Sequence, residues 1–192
     1  MADQLYTIPD FVRETREIIA RGLGDQQTIE LVTEPLARVI QRQDCLTDIA
    51  DNDDPNPDRG FVIYRDESLT VLAVVWQPER GAPIHNHNGW AMEGVISGAE
   101  FNHNYQRTDD GSDPWRAKLE EVDPSIVHSG ETTSLMLPPD DIHSVEIREG
   151  KTLAIHVYGL DLIKQWRYCF DLESEEVTPY RMRTRQPVQG SA

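Results

Sequence analysis

Cysteine is nearly absent: only Cys45 and Cys169 occur in 192 residues. That is too few for a disulfide framework, and without a C-x-x-C pair a cysteine-bound zinc site has no support. Both read as small buried hydrophobes. Long apolar runs are missing as well. None approaches the roughly 18 residues of a membrane-spanning helix. The opening MADQLYTIPD lacks the basic start and apolar core of a signal peptide. These absences predict a cytoplasmic chain with no membrane partner. Positive charge is scarce too: 18 Lys and Arg stand against 34 Asp and Glu, a formal net charge of −16. That balance repels nucleic acid and anionic membranes alike. The acid gathers in residues 51–58, 109–113, 120–123 and 173–176, which read as solvated loops or strand ends. DNDDPNPD has neither the glycine nor the closing glutamate of an EF-hand at the right offsets.

What is present falls into two parts. Residues 8–42 read as helical, with Ile8, Phe11, Val12, Ile18 and Ile19 near a helical period and Gly22 and Gly24 as stops. A second helix is expected from Thr33 as N-cap, with Pro35 in its first turn and Leu36, Val39 and Ile40 on one face. Residues 51–60 (DNDDPNPDRG) form a loop by turn chemistry. Then come short strand-like runs at 61–65, 69–76, 90–96, 99–105, 117–122, 133–137, 143–148, 152–158, 166–171 and 177–183. Gly, Pro, Asp and Asn separate them, which predicts an antiparallel sandwich or barrel. The expected division is a helical segment at 1–50 packed on a barrel at 56–185, then a tail at 186–192.

The informative segment is PIHNHNGW. His85 and His87 stand two apart on an expected strand, so both imidazoles leave one face and can chelate one metal. His143 follows the loop-like LPPDD and opens a later run, which an antiparallel sheet can bring opposite the pair. Three neutral imidazoles leave a divalent ion's charge unneutralised and favour an anionic ligand such as a thiolate. This spacing does not choose among iron, zinc, nickel and copper. In LAIHVYG, Ala154, His156 and Tyr158 alternate onto one face, and Arg167 is suited to clamp a carboxylate. The bland alternatives are a satisfied core histidine, a packed tyrosine and a surface arginine. His103 and His128 read as surface residues. The four tryptophans read as core or wall, with Trp90 nearest the metal and on the substrate side.

With VVWQPERGAPIHNHNGWAMEGVISGAE, PPDDIHSV and IHVYG followed by Arg167, the chain resembles the thiol dioxygenases over roughly residues 58–170. These are the cysteine dioxygenase family, particularly its bacterial branch that includes 3-mercaptopropionate dioxygenase. The resemblance implies a mainly β protein, a cupin (jelly-roll-like) β-barrel with N-terminal α-helices. It implies one Fe(II) per chain on His85, His87 and His143, and addition of both atoms of O2 to the sulfur of a small thiol, giving a sulfinate. The family's Ser-His-Tyr triad falls on Ala154, His156 and Tyr158, with Tyr158 bonding the reacting oxygen or substrate and His156 positioning its hydroxyl.

Four departures from the family pattern stand out. Ala154 replaces the serine, so the relay stops at His156. The position of the family's substrate Arg or Gln falls on Gly60, with Arg59 and Arg65 turned to the other face. Asn86 stands where an acid would lie between the two histidines. Glu93 replaces an apolar residue. The Gly60 and Ala154 changes are expected to enlarge the pocket, pointing to a substrate that is 3-mercaptopropionate-like or bulkier (mercaptosuccinate, ergothioneine) rather than cysteine. Neither cysteine is expected near the H-x-H strand, so a cysteine–tyrosine crosslink has no counterpart. Two other readings compete: a cupin isomerase or carbon-oxidising dioxygenase with Glu93 as extra ligand, and a non-catalytic sensing cupin. The chain is expected to act as a monomer or homodimer.

Overall fold

The computed structural model describes residues 5–42, 46, 60–135 and 137–182. Most of the 51–60 loop, Cys45, Arg59 and the 186–192 tail lie outside the described residues.

Helix α1 (Ile8–Ile19) starts at a capping box: the Thr7 hydroxyl accepts from the Asp10 amide, and the Asp10 carboxylate accepts from the Thr7 amide at 3.1 Å. Its buried stripe is Phe11, Val12, Thr15 and Ile18. Helix α2 runs from Asp25 to Ile40, nine residues earlier in its start than Thr33 as N-cap predicts. Gly24 is the N-cap, and Thr33 lies inside the helix with its hydroxyl donating to the Ile29 carbonyl at 2.8 Å. Pro35 is interior and buried. An interior proline costs about 3 kcal/mol. The unbroken stripe Ile29, Val32, Leu36, Val39 and Ile40 buries enough apolar surface to outweigh it. Among the described residues no helix is long and apolar enough to cross a membrane.

Among the described residues eleven strands follow: β1 (Phe61–Arg65), β2 (Thr70–Trp76), β3 (Gly81–His85), β4 (Ala91–Ser97), β5 (Ala99–Arg107), β6 (Leu119–His128), β7 (Thr132–Ser134), β8 (Ile142–Glu146), β9 (Thr152–Tyr158), β10 (Arg167–Phe170) and β11 (Val177–Tyr180). They form two antiparallel sheets, ordered β1-β2-β9-β4-β7 and β11-β10-β3-β8-β5-β6. This is the mainly β, antiparallel two-sheet architecture that the strand runs predict, with the N-terminal helices that the pattern over residues 8–42 predicts. Most strand ends shift by one to three residues, and two differences are larger. β3 is a separate strand that ends at His85, so His87 lies beyond it, and β6 extends to His128.

The helices cover the outer face of the five-stranded sheet. At Gly94 a β-carbon would meet Ile40 and Leu36 at 3.0 and 3.2 Å, so α2 sits directly on β4. Between the sheets lies a second apolar cluster that includes Leu72, Val74, Trp76, Val145 and Tyr158. Trp76 and Trp90 are buried, whereas Trp115 and Trp166 are 56% and 62% exposed and belong to neither core nor wall.

Candidate metal centre

β3 and β8 pair with His85 directly opposite His143. His87, past the strand end, is held by Asp141, whose carboxylate accepts the backbone N–H of His87 at 2.8 Å and of Asn88 at 2.6 Å. The ring centroids are 4.8 Å apart for His85–His87 and His85–His143, and 4.9 Å for His87–His143. One ligand atom from each imidazole lies within 4.8 Å of the others, and all three rings are buried.

These residues fit a divalent metal on three counts. Burial depresses all three pKa values, with the Arg167 charge adding to the effect. His85 falls to about 3, and His87 and His143 fall well below the ordinary histidine range, so all are neutral ligands. Two rings are oriented through Nδ1, His85 on the Pro83 carbonyl at 2.8 Å and His143 on the Asn102 side-chain oxygen at 2.9 Å, leaving Nε2 to ligate. Finally, both ring nitrogens of His87 are buried with no hydrogen-bond partner among the described residues. A metal would satisfy one of them, and otherwise each orphan costs about 1–3 kcal/mol.

The opposite wall of the cavity comes from β9. Tyr158 is buried with its ring 5.4 Å from that of His87, and its hydroxyl lies 3.1 Å from His156 Nδ1. Burial raises the Tyr158 pKa, so the phenol is protonated at neutral pH. The relay does not stop at His156. His156 Nε2 lies 3.2 Å from both carboxylate oxygens of Glu100 on β5, which also accepts from the Trp76 indole at 2.6 Å. Ala154 packs instead with Val95 and Val127.

Glu93 is fully buried but does not join the three histidines; it groups with Glu100 and His156. Its carboxyl accepts from the Asn102 side-chain amide, so Glu93 stands behind His143, one residue removed. Burial and the adjacent Glu100 charge raise the Glu93 pKa well above the carboxylate range, so it is the protonated member of the pair. Burial pushes Glu100 the same way, but His156, Glu93 and Trp76 together hold it below its usual value.

The cavity between these walls has a volume of about 50 Å3 and includes Gly60, Trp76, His85, His143, Tyr158, Arg167, Tyr180 and Met182 in its lining. Arg167 is 2% exposed and lies 5.0 Å from the Tyr180 ring. Its Nη1 donates to the Asn86 carbonyl at 3.1 Å, while its Nε has no hydrogen-bond partner among the described residues. No carboxylate among the described residues forms an ion pair with it. Burial lowers its pKa, yet a guanidinium stays charged. Trp90 packs in the core beneath the helices, and it is Trp76 that lines the cavity. Arg65 points away, in a two-bonded ion pair with Asp161 at 2.6 and 3.0 Å.

Of the two small residues, only Gly60 borders the cavity. A β-carbon at Gly60 would already meet Leu72 and Met182 at 3.2 Å, and Ala154 is not part of the lining. Cys169, distant in sequence, pairs directly with His85 across β10 and β3 and is half-buried rather than a core residue. Asn86 ties the loop to β10, its side-chain oxygen accepting from the Tyr168 amide at 2.8 Å. His128 makes no contact with the centre, and His103 lies on the outside between Glu121 and Glu146 at 2.7 and 3.2 Å.

No protein-family model matches the chain. Solved structures similar to it include an uncharacterised protein with a double-stranded β-helix domain from Klebsiella pneumoniae, at 14% identity and TM-score 0.43, covering 59% of this chain and 81% of that one. KdgF from Halomonas sp. matches at 15% identity and TM-score 0.43, with 59% and 91% covered. DMSP lyase DddQ from Ruegeria pomeroyi matches at 15% identity and TM-score 0.39, with 58% and 46% covered. The chain spans less than half the length of the DMSP lyase and oxalate oxidase structures it matches. At such identities the likeness extends to the fold and no further.

Proposed function

We propose that the chain is a non-haem Fe(II) thiol dioxygenase acting on a compact thiol carboxylate. One observation carries this reading. Two imidazoles of the buried neutral three-histidine cluster (His85 and His143), a protonated phenol and a buried guanidinium with no ion-paired carboxylate among the described residues all line one small cavity. A metal held by three uncharged ligands favours an anion beside it, and a thiolate meets that need. Arg167 independently asks for a second anion, and a carboxylate on the same molecule supplies it. Iron bound at the centre supplies activation of dioxygen, so that both oxygen atoms pass to sulfur and RSH plus O2 becomes RSO2H with no external reductant.

The chain's own groups do the rest. Arg167 orients the substrate through its carboxylate, and Tyr158 places a hydroxyl at the reacting end. Val74, Val145 and Met182 exclude water. At about 10–15 Å3 for each water-sized position, a cavity of about 50 Å3 suits 3-mercaptopropionate better than mercaptosuccinate or ergothioneine. Glu93 stands away from the centre, which disfavours a fourth-ligand chemistry.

The test is oxygen uptake by anaerobically Fe(II)-loaded protein with cysteine, 3-mercaptopropionate, cysteamine, mercaptosuccinate and ergothioneine. Sulfinate production is expected from 3-mercaptopropionate, with cysteamine, which lacks a carboxylate, much poorer. Arg167→Ala should raise KM for the carboxylate substrate by about 10- to 100-fold, since a lost charge-assisted pair is worth about 1.5–3 kcal/mol. KM for cysteamine should hardly move. Silence across the panel with iron bound would overturn the reading, and an unchanged KM would remove Arg167 from substrate binding.

A further inference from the structure

The barrel interior carries a polar chain that runs between the sheets: His143 to Asn102, Asn102 to Glu93, Glu93 beside Glu100, Glu100 to His156, and His156 to Tyr158. Glu93, Glu100 and Asn102 are at most 1% exposed. We propose that Glu100 is a positioning residue: it fixes which nitrogen of His156 carries the proton and thereby makes the Tyr158 oxygen an acceptor toward the cavity. The proposal rests on the reading of that cavity as an active site.

Hydrogen-bond polarity carries the argument. An ionised carboxylate only accepts. Both Glu100 oxygens lie 3.2 Å from His156 Nε2, so this nitrogen must be the N–H; the other tautomer would set acceptor against acceptor in a dry interior. Trp76 closes off an alternative arrangement, because its indole N–H already donates to Glu100 Oε1 and holds the carboxylate in place. In the proposal the resting ring is neutral: with its proton on Nε2, Nδ1 bears a lone pair, and the Tyr158 hydroxyl 3.1 Å away donates to it. The lone pairs of the Tyr158 oxygen are then left for the cavity.

A thiol entering the cavity meets that acceptor. Its S–H proton passes to the Tyr158 oxygen while the Tyr158 proton passes to His156 Nδ1. The product is a thiolate and an imidazolium paired with the Glu100 carboxylate, and tyrosine ends unchanged. Charge is conserved, and the new positive charge forms against a carboxylate already in place. Glu93, as an acid, adds no second negative charge to the pair.

The experiment is nitrogen NMR of zinc-loaded, 15N-histidine-labelled protein, with kinetics alongside. Wild type should show His156 protonated on Nε2. In Glu100→Gln, the amide oxygen is claimed by Trp76 and the amide nitrogen donates to His156, so the proton should move to Nδ1. Metal affinity should stay within about 3-fold, and kcat should fall by about 10- to 100-fold with little change in KM. In a Tyr158→Phe background the same substitution should have no further effect on kcat, which a merely structural role would not predict.

A wild-type His156 protonated on Nδ1 would overturn the proposal even if the variant failed to fold. So would binding of a second zinc ion by Glu93, Glu100 and His156. A tautomer that inverts in a protein inactive on every thiol would leave Glu100's role standing and sink the proposed reaction. Sulfinate formation with an unmoved tautomer would do the reverse.

Discussion

His87→Ala is expected to abolish metal binding and, with it, the proposed turnover, while leaving the metal-free protein nearly as stable as before. The first half follows from the ligand count. Two imidazoles, on β3 and β8, remain, and a buried two-nitrogen site does not hold an iron(II) or zinc ion against water. The second half follows from the orphaned nitrogens. Truncation leaves a cavity, but it also removes two buried polar atoms that have no hydrogen-bond partner among the described residues. The two changes oppose each other. The measurement is thermal melting with and without saturating zinc. At 100 times its dissociation constant a ligand stabilises by about 2.7 kcal/mol. For a domain of this size that raises Tm by about 5–10 °C in wild type. In His87→Ala the shift should vanish, with a metal-free Tm within about 3 °C of wild type. A variant that keeps the full shift would show that the metal, if any, is held elsewhere.

The second large effect is on the scaffold itself. Gly81 opens β3, and a β-carbon there would lie 1.8 Å from the Val145 carbonyl oxygen and 2.7 Å from its carbon. These are backbone atoms of the paired strand and cannot rotate aside. Gly81→Ala therefore forces β3 and β8 apart where Gly81 faces Glu146, a few residues from the His85–His143 pair. The expected loss is about 3–5 kcal/mol, the range of severe overpacking, or a fall of about 6–20 °C in Tm. Weaker metal binding should accompany it. Gly24→Ala, with nothing within 4 Å of the new atom, is the control and, as an N-cap change, should cost no more than about 1 kcal/mol. A Gly81→Ala protein melting within 2 °C of wild type would show that the strands have room to spare.

Much of the barrel was legible from residue order, because short, near-continuous apolar runs such as LTVLAVVW and TLAIHVY, bounded by turn residues, read as strands, here buried on both faces. The three histidines were legible for the same reason, two close in sequence and one at the head of a later run. The sites of failure have a common cause. Glu100 and Asn102 lie inside, while Phe101 between them faces outward under the Arg148 guanidinium at 4.1 Å. An apolar-in, polar-out reading of EFNHNYQR puts those acid and amide groups in solvent, and only a buried polar network reverses the face. Asp141, two residues before His143, passed as a loop acid because its partners are backbone amides 53 and 54 residues away. Cys169 met His85 only through the β10–β3 pairing, which no local spacing encodes. Pro35 misled the start of α2 because a first-turn proline and a tolerated interior one look alike until the whole buried stripe is counted.

The centre is divided between the two sheets. His85 and His143, with Glu100 and Asn102, belong to the six-stranded sheet; Tyr158, His156, Glu93 and Trp76 belong to the five-stranded one. The gap between phenol and imidazoles is thus a gauge of how far apart the sheets stand. A core substitution that spreads or slides them, at Leu72 or Val145 for example, leaves the histidine cluster intact on its own sheet and yet changes the reach of the tyrosine. Steady-state rate would then register small changes in inter-sheet spacing to which metal affinity is blind.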